Sequence, residues 1–382
     1  MTNEMKNVPE LRFPEFDGDW KEKKLGDIGK VSMNKRIYKN QTSPYEDIPF
    51  YKIGTFGKNP DTFISRSTYE EYKSKFPYPK VGDILISASG SIGRTIEYKG
   101  EEAYYQDSNI VWLDHDDSVK NTFLKHYYSI IKWSGVEGTT IKRLYNKNIL
   151  YTKISLPCIN EQNKIGDFFN KLDRQIELEE KKLELLEQQK RGYMQKIFSQ
   201  ELRFKDENGN DYPDWEETTL KNITYYISSK KSSNQYNESN NFEGYPVYDA
   251  IQEIGKDLQY DMEEPYISIL KDGAGAGRLN LRAGKSSVIG TMGYIQANNV
   301  DIQFLYYRMK LLNFRKFIIG STIPHLYYKD YSKEKILIPT SNDEQKKIGH
   351  FILNIDKLID NKTLKLDYLK QRKQGLLQRM FV

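Results

Sequence analysis

The feature that most constrains the fold of this chain is an internal repeat. Two segments, which open at Glu161 and Glu344, both read EQxxIG and continue for about forty residues in similar order. Identical residues recur at one constant offset, as Glu161/Glu344, Gln162/Gln345, Ile165/Ile348, Gly166/Gly349, Asp173/Asp356, Gly192/Gly375 and Phe198/Phe381. Self-similarity at a fixed distance marks a duplicated structural unit, so the chain should fold as two related halves.

Both repeated segments carry the apolar spacing of a coiled coil. Apolar residues step by four and three without a break, which is the heptad pattern. The seam residues are Ile165, Phe169, Leu172, Ile176, Leu183 and Leu186 in the first segment and Ile348, Ile352, Ile355, Ile359, Leu366 and Leu369 in the second. Polar residues interrupt the two seams at matching places, for example at Lys190 and Lys373.

These stripes predict two long helices that pack against each other. A helix with such a stripe cannot bury it alone, and the polar seam residues would set the register of the pair. We expect an antiparallel coiled coil, with a pseudo-twofold axis that relates the two halves of the chain. The alternatives are parallel packing and two helices that each dock on their own globule.

The rest of the sequence favours two globules that are rich in strands. At 382 residues, more than one folding unit is expected. Short runs such as IPFYKIGTF, GDILISA and SNIVWL are bounded by turn-forming residues and read as strands. One amphipathic stretch in each globule, at 122–133 and 302–318, predicts a helix. The fold class is therefore α+β, in the order globule, helix, globule, helix.

Composition excludes several classes of protein. No apolar run approaches the roughly 20 residues that span a bilayer, and the opening MTNEMKNVPELRF lacks the apolar stretch of a signal peptide, so we expect a cytoplasmic protein that does not bind membranes. A single cysteine rules out an intramolecular disulfide, and with only four histidines it also rules out a Cys/His zinc cluster. Cys158 itself is expected to be buried as a small apolar side chain.

No catalytic motif is apparent. The turn GAGAGR has the spacing GxGxG, and the residues after it do not read as the helix of a dinucleotide site. The run AGKSS ends like a phosphate-binding loop, but Leu279 stands where that loop requires glycine. The chain has no Asn-Pro-Pro-aromatic or Asp-Pro-Pro-aromatic tetrapeptide of the amino-methyltransferases, and its histidines are scattered. We therefore predict no catalytic residue and no metal site.

Basic residues beside turns are candidate contacts to nucleic acid. Most of them occupy corresponding places in the two halves, where Lys and Arg can reach phosphates and Arg or Ser can also read base edges. The candidates are Lys35, Arg36, Ser91, Arg94, Lys142, Arg143, Lys230, Lys231, Arg278, Lys285 and His325. For any one of them a solvated surface role is the alternative, and recurrence in both halves is what favours the set.

Together these motifs resemble one known family. The twice-repeated order of globule and EQxxIG helix, with LRF openings and the segments ISASGSIGR and GSTIPHLY, is similar to the specificity (S) subunit of type I restriction-modification systems. The resemblance covers essentially the whole chain. It implies a target-recognition domain at 1–160, a central spacer helix at 161–200, a second target-recognition domain at 201–341 and a C-terminal spacer helix at 342–382.

The resemblance also implies a function and a set of partners. In this family each target-recognition domain contacts one half of a split, asymmetric site in double-stranded DNA, and the paired helices set the gap between the halves. Two methyltransferase (M) subunits and the restriction (R) subunits would bind this chain. S-adenosylmethionine, ATP and Mg²⁺ would bind on those partners, with no cofactor and no catalysis on this chain. The main alternative is a coiled-coil scaffold whose globules bind other proteins. Another is a solitary methyltransferase or nuclease, which the missing motifs disfavour.

Overall fold

The structure, a computed structural model, describes residues 7–135, 143–236 and 243–382. The chain divides into two compact units. The first unit comprises residues 1–180 and 364–382, and the second comprises residues 181–363. Each unit therefore contains a globule and a part of each long helix.

The helices of the described residues include two that are far longer than the rest. They are α1 (Arg66–Lys75), α2 (Asn121–Tyr127), α3 (Asn146–Tyr151), α4 (Ile159–Phe198), α5 (Leu220–Ile223), α6 (Ile302–Lys310), α7 (Tyr328–Tyr331) and α8 (Asn342–Met380). The helices α4 and α8 contain the two heptad seams, and they begin and end within two residues of the predicted spacer helices.

The first unit is built around a four-stranded sheet with the order β2-β8-β5-β6. Its strands are β1 (Lys21–Lys24), β2 (Gly29–Ser32), β3 (Ile48–Tyr51), β4 (Phe63–Ile64), β5 (Ile84–Ser87), β6 (Thr95–Glu97), β7 (Tyr104–Tyr105), β8 (Ile110–His115) and β9 (Lys153–Leu156). A second sheet has the order β4-β3-β7, and β1 pairs with β9. All neighbours in the larger sheet are antiparallel.

The second unit repeats this topology. Its strands are β10 (Trp215–Thr219), β11 (Thr224–Ser228), β12 (Tyr245–Tyr248), β13 (Glu253–Asp257), β14 (Tyr266–Leu270), β15 (Leu279–Arg282), β16 (Ser287–Val288), β17 (Met292–Ala297), β18 (Ile318–Ile319), β19 (His325–Leu326) and β20 (Lys335–Pro339). The sheet β11-β17-β14-β15 corresponds to β2-β8-β5-β6, and β13-β12-β16 corresponds to β4-β3-β7. The pair β10-β20 corresponds to β1-β9.

The core of the first unit lies between its larger sheet and the long helices. Strand β8 buries Val111 and Leu113 on the face that packs against α2 and the helices, and it buries Ile110 and Trp112 in a separate cluster on the other face. This alternation follows from the two-residue period of a strand. The core also includes Leu377, Met380 and Phe381 from the end of the chain.

In the first unit the long helices pair in antiparallel fashion. Asp173 of α4 pairs with Lys373 of α8 at 2.5 Å, and Glu180 further along α4 pairs with Lys370 at 2.7 Å. Residue numbers therefore increase along α4 in the direction in which they decrease along α8, so the two helices are antiparallel. Lys373 is one of the polar seam positions, so its partner is a carboxylate on the facing helix.

The second unit shows the same pairing with the roles exchanged. The seam residue Lys190 of α4 pairs with Asp356 of α8, and the rings of Tyr193 and Phe351 meet edge to face with centroids 5.2 Å apart. Asp173 and Asp356 are equivalent in the repeat, as are Lys190 and Lys373. All twelve predicted seam residues are buried or half-buried. The predicted α+β class with an antiparallel helix pair is confirmed.

A recurring ion pair fixes each globule to a long helix. In the first unit Arg12 of the LRF tripeptide donates two hydrogen bonds of 2.7 Å to Glu161, whose side chain has no exposed surface. In the second unit Arg203 donates to both oxygens of Glu344, at 3.1 and 2.8 Å. The repeated Glu of EQxxIG is therefore the buried partner of the repeated Arg of LRF.

The other repeated residues of EQxxIG have equally local causes. Gln162 accepts a hydrogen bond from the Lys120 amide at 2.9 Å, and Gln345 accepts one from the Asp301 amide at 2.8 Å. A Cβ on Gly166 would lie 2.7 Å from the Thr122 hydroxyl, so glycine lets α2 approach α4 closely. These residues hold the first turn of each long helix against the globule.

Three expectations from the sequence need correction. The helix expected at 122–133 is shorter than predicted, since α2 ends at Tyr127. Cys158 is exposed, in the short link between β9 and the start of α4. The single helix expected at 302–318 is broken, since α6 ends at Lys310 and a short 3-10 turn follows at Phe314–Phe317. Across the described ranges, no helix has the length and apolarity to cross a membrane.

Candidate nucleic-acid interface

In the first unit, a glycine turn and a segment with the sequence Leu-Tyr meet at one edge of the larger sheet. The glycine turn is residues 88–94 between β5 and β6, and the Leu-Tyr segment is residues 143–147, which runs into the first turn of α3. Ser89 and Arg143 form an antiparallel bridge, and the Leu144 amide donates to the Ala88 carbonyl at 2.8 Å. Gly90 and Gly93 have positive φ, which bends the turn in a way that other residues rarely adopt.

The second unit builds the same edge from its own residues. Its glycine turn is 271–278 between β14 and β15, and its Leu-Tyr segment is 325–329. Asp272 and His325 form the equivalent bridge, and the Leu326 amide donates to the Lys271 carbonyl at 2.8 Å. The correspondence noticed in the sequence therefore reflects one backbone arrangement built twice.

Several predicted contact residues meet at these edges. Arg94 and Arg278 end the two glycine turns and are exposed, as is Ser91. Arg143 is exposed and His325 is half-buried at the start of the two Leu-Tyr segments. The His325 ring lies 2.8 Å from the Asp272 carboxylate, so this histidine is held in place by the turn that it faces.

The two basic pairs, Lys35-Arg36 and Lys230-Lys231, lie near the same edges. Their members differ in whether a carboxylate binds the side chain. Lys35 and Lys230 are exposed, and the Lys35 ammonium lies 5.1 Å from the centre of the Phe76 ring. Arg36 pairs with Asp107 at 2.8 Å, and this hydrogen bond raises the pKa of its guanidinium. Lys231 is half-buried and pairs with Asp257 at 2.5 Å, which indicates a structural role.

One predicted residue, Lys285, lies away from these clusters. Lys285 lies between β15 and β16, where its amide donates to the Glu263 carbonyl. That position is at the end of the β14–β15 hairpin opposite the glycine turn, because Arg282 pairs there with Tyr266. Lys142 lies outside the described residues. The contact roles of all eleven candidates stay predictions.

The edge of the first unit is concave. A groove of about 370 Å³ is lined by residues of the Leu-Tyr segment together with Met33, Ala88 and Ser108. Ser89 donates a hydrogen bond of 2.7 Å to the Asn109 amide oxygen beside it. The groove thus offers a cation, hydroxyls and amides at one place, which are the groups that bind phosphates and base edges.

Sequence reasoning missed two residues of each Leu-Tyr segment. Tyr145 and Tyr327 are 44% and 45% exposed, and each has a lysine above its ring. The Lys147 ammonium lies 5.9 Å from the Tyr145 ring centre, and that of Lys329 lies 5.5 Å from the Tyr327 ring centre. The sequence does contain a signal for them, because LYNK and LYYK recur in the aligned segments. The predicted set included only basic residues beside turns, and so it left these tyrosines out.

The Lys231–Asp257 pair gives a prediction about pH. Hydrogen bonds from Lys231 and Tyr236 lower the pKa of Asp257 from 3.8 to about 2. Because the pKa is lower in the folded chain, the pair stabilises the fold above about pH 4 and loses this effect as pH falls towards 2. At pH 6 the free energy of unfolding of the wild type should exceed that of Asp257→Asn by about 1 kcal/mol. The difference is this small because part of the pair stays in contact with water.

The measurement is urea unfolding of both proteins between about pH 2.5 and 6. The matched control is Glu264→Gln, which changes an exposed carboxyl of the same unit. A stability difference between wild type and Asp257→Asn that stays constant across this range would contradict the assignment of the lowered pKa to Asp257.

Comparison with known proteins agrees with this architecture. A family model described as the type I restriction modification DNA specificity domain matches residues 17–188 and 212–371, once in each half of the chain. A Methanocaldococcus jannaschii protein described as a type I restriction enzyme specificity subunit is 25% identical over 97% of this chain and 95% of its own length. A Haemophilus influenzae protein with the same description is 57% identical over 150 residues, which are 39% of each chain.

Solved structures show the same fold. The S subunit of a type I restriction-modification system from M. genitalium superposes with a TM-score of 0.68 and 19% identity, over 98% of this chain and 99% of that one. A chain from a structure on complex assembly and conformational transition of a type I system gives 0.53 and 14%, over 96% and 98%. With the family model matched over most of its length, the chain belongs to the type I restriction-modification DNA specificity family.

Proposed function

We propose that each unit reads one half of a bipartite, asymmetric DNA site and that the paired long helices set the gap between the halves. The observation that carries this proposal is the recurrence of one edge, a glycine turn bound to a Leu-Tyr segment, in both units. Two copies of one reading edge suit a target that has two parts. The predicted domain ranges 1–160, 161–200, 201–341 and 342–382 are kept as the functional division of the chain.

Differences between the two edges support an asymmetric site. The first edge has the buried Ser89 and the exposed Arg143 where the second has Asp272 and His325, both half-buried. Arg binds guanine through two acceptors in the major groove, Asp accepts from cytosine, and Ser can do either. One backbone frame with different side chains would therefore select different base sequences in the two halves.

Partners supply the chemistry in this proposal. Two M subunits bind this chain and transfer methyl groups from S-adenosylmethionine to adenine, and R subunits add ATP-dependent cleavage that uses Mg²⁺. This chain contributes recognition and no catalytic step, and it acts in the cytoplasm, where its DNA is. The lack of a methyltransferase tetrapeptide in the sequence supports this division of labour. A protein-binding scaffold is less favoured, since it would leave the two recurring edges without a role.

A paired insertion tests the helices as a ruler. We would insert one heptad of coiled-coil sequence after Glu180 in α4 and one before Leu364 in α8, which keeps both seams in phase. Each insertion lengthens its helix by about 10 Å, or about three base pairs of DNA. Mapping adenine methylation in cells that express the chain with its M subunit should give a gap longer by about three base pairs between unchanged halves.

The matched control exchanges residues 14–155 for those of another family member. It should change one half of the methylated site and leave the gap alone. An insertion that alters a half while the gap stays the same would contradict the ruler.

A further inference from the structure

The two edges differ at some positions and share others, and the Leu-Tyr segments contain side chains that both units share. Leu144 and Leu326 are both 3% exposed, and both donate their amide to the glycine turn. The next residue in each segment is an exposed tyrosine, and the lysine two positions further on lies over its ring. The residue between them is Asn146 in one unit and Tyr328 in the other.

The backbone presents the two tyrosines alike. Each precedes a short helix and accepts an amide hydrogen bond from the third residue after it, at 2.8 Å for Tyr145 and 3.1 Å for Tyr327. Each follows a buried leucine, which anchors the segment while the ring projects from it. About half of each tyrosine is exposed, although burial would lower the free energy of so large an aromatic ring.

What two half-sites of different sequence share is the sugar-phosphate backbone. Contacts to phosphate position a protein on DNA without reading its sequence, and Tyr and Lys side chains are among the groups that make them. The side chains that differ between the edges, such as Arg143 and His325, suit the bases that differ. The shared tyrosine and lysine suit the part of DNA that does not.

We propose that Tyr145 with Lys147, and Tyr327 with Lys329, form a sequence-independent phosphate clamp that seats each unit on its half-site. The tyrosine hydroxyl donates to a phosphate oxygen, and the lysine ammonium neutralises the same stretch of backbone. This inference rests on the proposed function. It assigns DNA affinity to the tyrosine and lysine of each edge, and it leaves the selection of sequence to the other residues of that edge.

The test uses the full chain with its M subunit and fluorescent duplexes that carry either the mapped site or a scrambled one. Tyr145→Phe and Tyr327→Phe remove only the hydroxyl, and each should weaken binding to both duplexes roughly tenfold, the effect of losing one hydrogen bond to a charged group. The ratio of the two affinities and the methylated sequence should not change. Lys147→Ala and Lys329→Ala should each reduce the salt slope of log affinity by about one between about 50 and 200 mM salt.

Tyr151→Ala is the matched control. Tyr151 is 63% exposed in the same unit and has the Lys24 ammonium 5.2 Å from its ring centre, but Lys333 stands at the equivalent place in the second unit. Its variant should bind as wild type does. An equal loss on Tyr151→Ala, full affinity in the two Phe variants, or a changed half-site would each overturn the clamp. Wild-type complex that binds both duplexes equally would overturn the proposed function itself, and the clamp with it.

Discussion

Replacing Phe381 with Ala is expected to remove about 3 to 5 kcal/mol from the free energy of unfolding of the first unit. Phe381 is 5% exposed and lies just beyond α8. Its ring centre is 5.2 to 6.3 Å from those of four aromatic residues, Trp20, Phe123, Tyr127 and Phe169. Truncation would leave a cavity that these large rings cannot fill without moving α2 and α4, which carry three of them.

Urea unfolding followed by tryptophan fluorescence measures this effect, because Trp20 touches the deleted ring. Phe198 is the matched position in the second unit, and it contacts the rings of Trp215 and Phe304. Phe198 is only half-buried, so Phe198→Ala should cost less than Phe381→Ala. An equal or smaller loss for Phe381→Ala would show that the end of the chain is not part of the first core.

Replacing Arg12 with Ala should cost about 3 to 5 kcal/mol, the usual loss when one partner of a buried ion pair is removed. The variant leaves the fully buried Glu161 carboxylate without its two hydrogen bonds. The bonded carboxylate also raises the pKa of Arg12, so the pair favours its charged state. The measurement is the urea midpoint at neutral pH.

The double variant Arg12→Ala/Glu161→Leu is the control. It removes both charges, so it should recover a large part of the loss. The single variant Arg203→Ala should weaken the second unit in the same way, because Arg203 makes the equivalent pair with Glu344. Costs that simply add in the double variant would mean that the two side chains do not interact.

The long helices could be predicted because their cause is local. Heptad spacing can be identified in the sequence, and a polar seam residue such as Lys373 predicts a polar partner on the facing helix. The family resemblance rested on the same repeat, and it is confirmed. The glycine turns were also recognisable, since closely spaced glycines before Arg94 and Arg278 permit positive φ.

What could not be predicted depends on partners that are distant in the chain. Arg12 and Glu161 are 149 residues apart, so the repeated LRF and EQ motifs were seen without the bond that joins them. Lys230 and Lys231 look alike in sequence, yet Asp257 from another strand binds only the second. Cys158 was expected to be buried from its residue type alone, whereas it lies exposed in the link between β9 and α4.

Part of the first core is synthesised only after the whole second unit. At typical rates of synthesis, residues 181–363 take roughly 10 to 40 s to emerge from the ribosome after residue 180, and until residues 364–382 follow, that core lacks Phe381 and its neighbours. Aromatic side chains of the nascent first globule therefore stay exposed while the second globule is synthesised. Chains that stop before residue 364 should keep this aromatic surface exposed, so chaperones and proteases should recognise them.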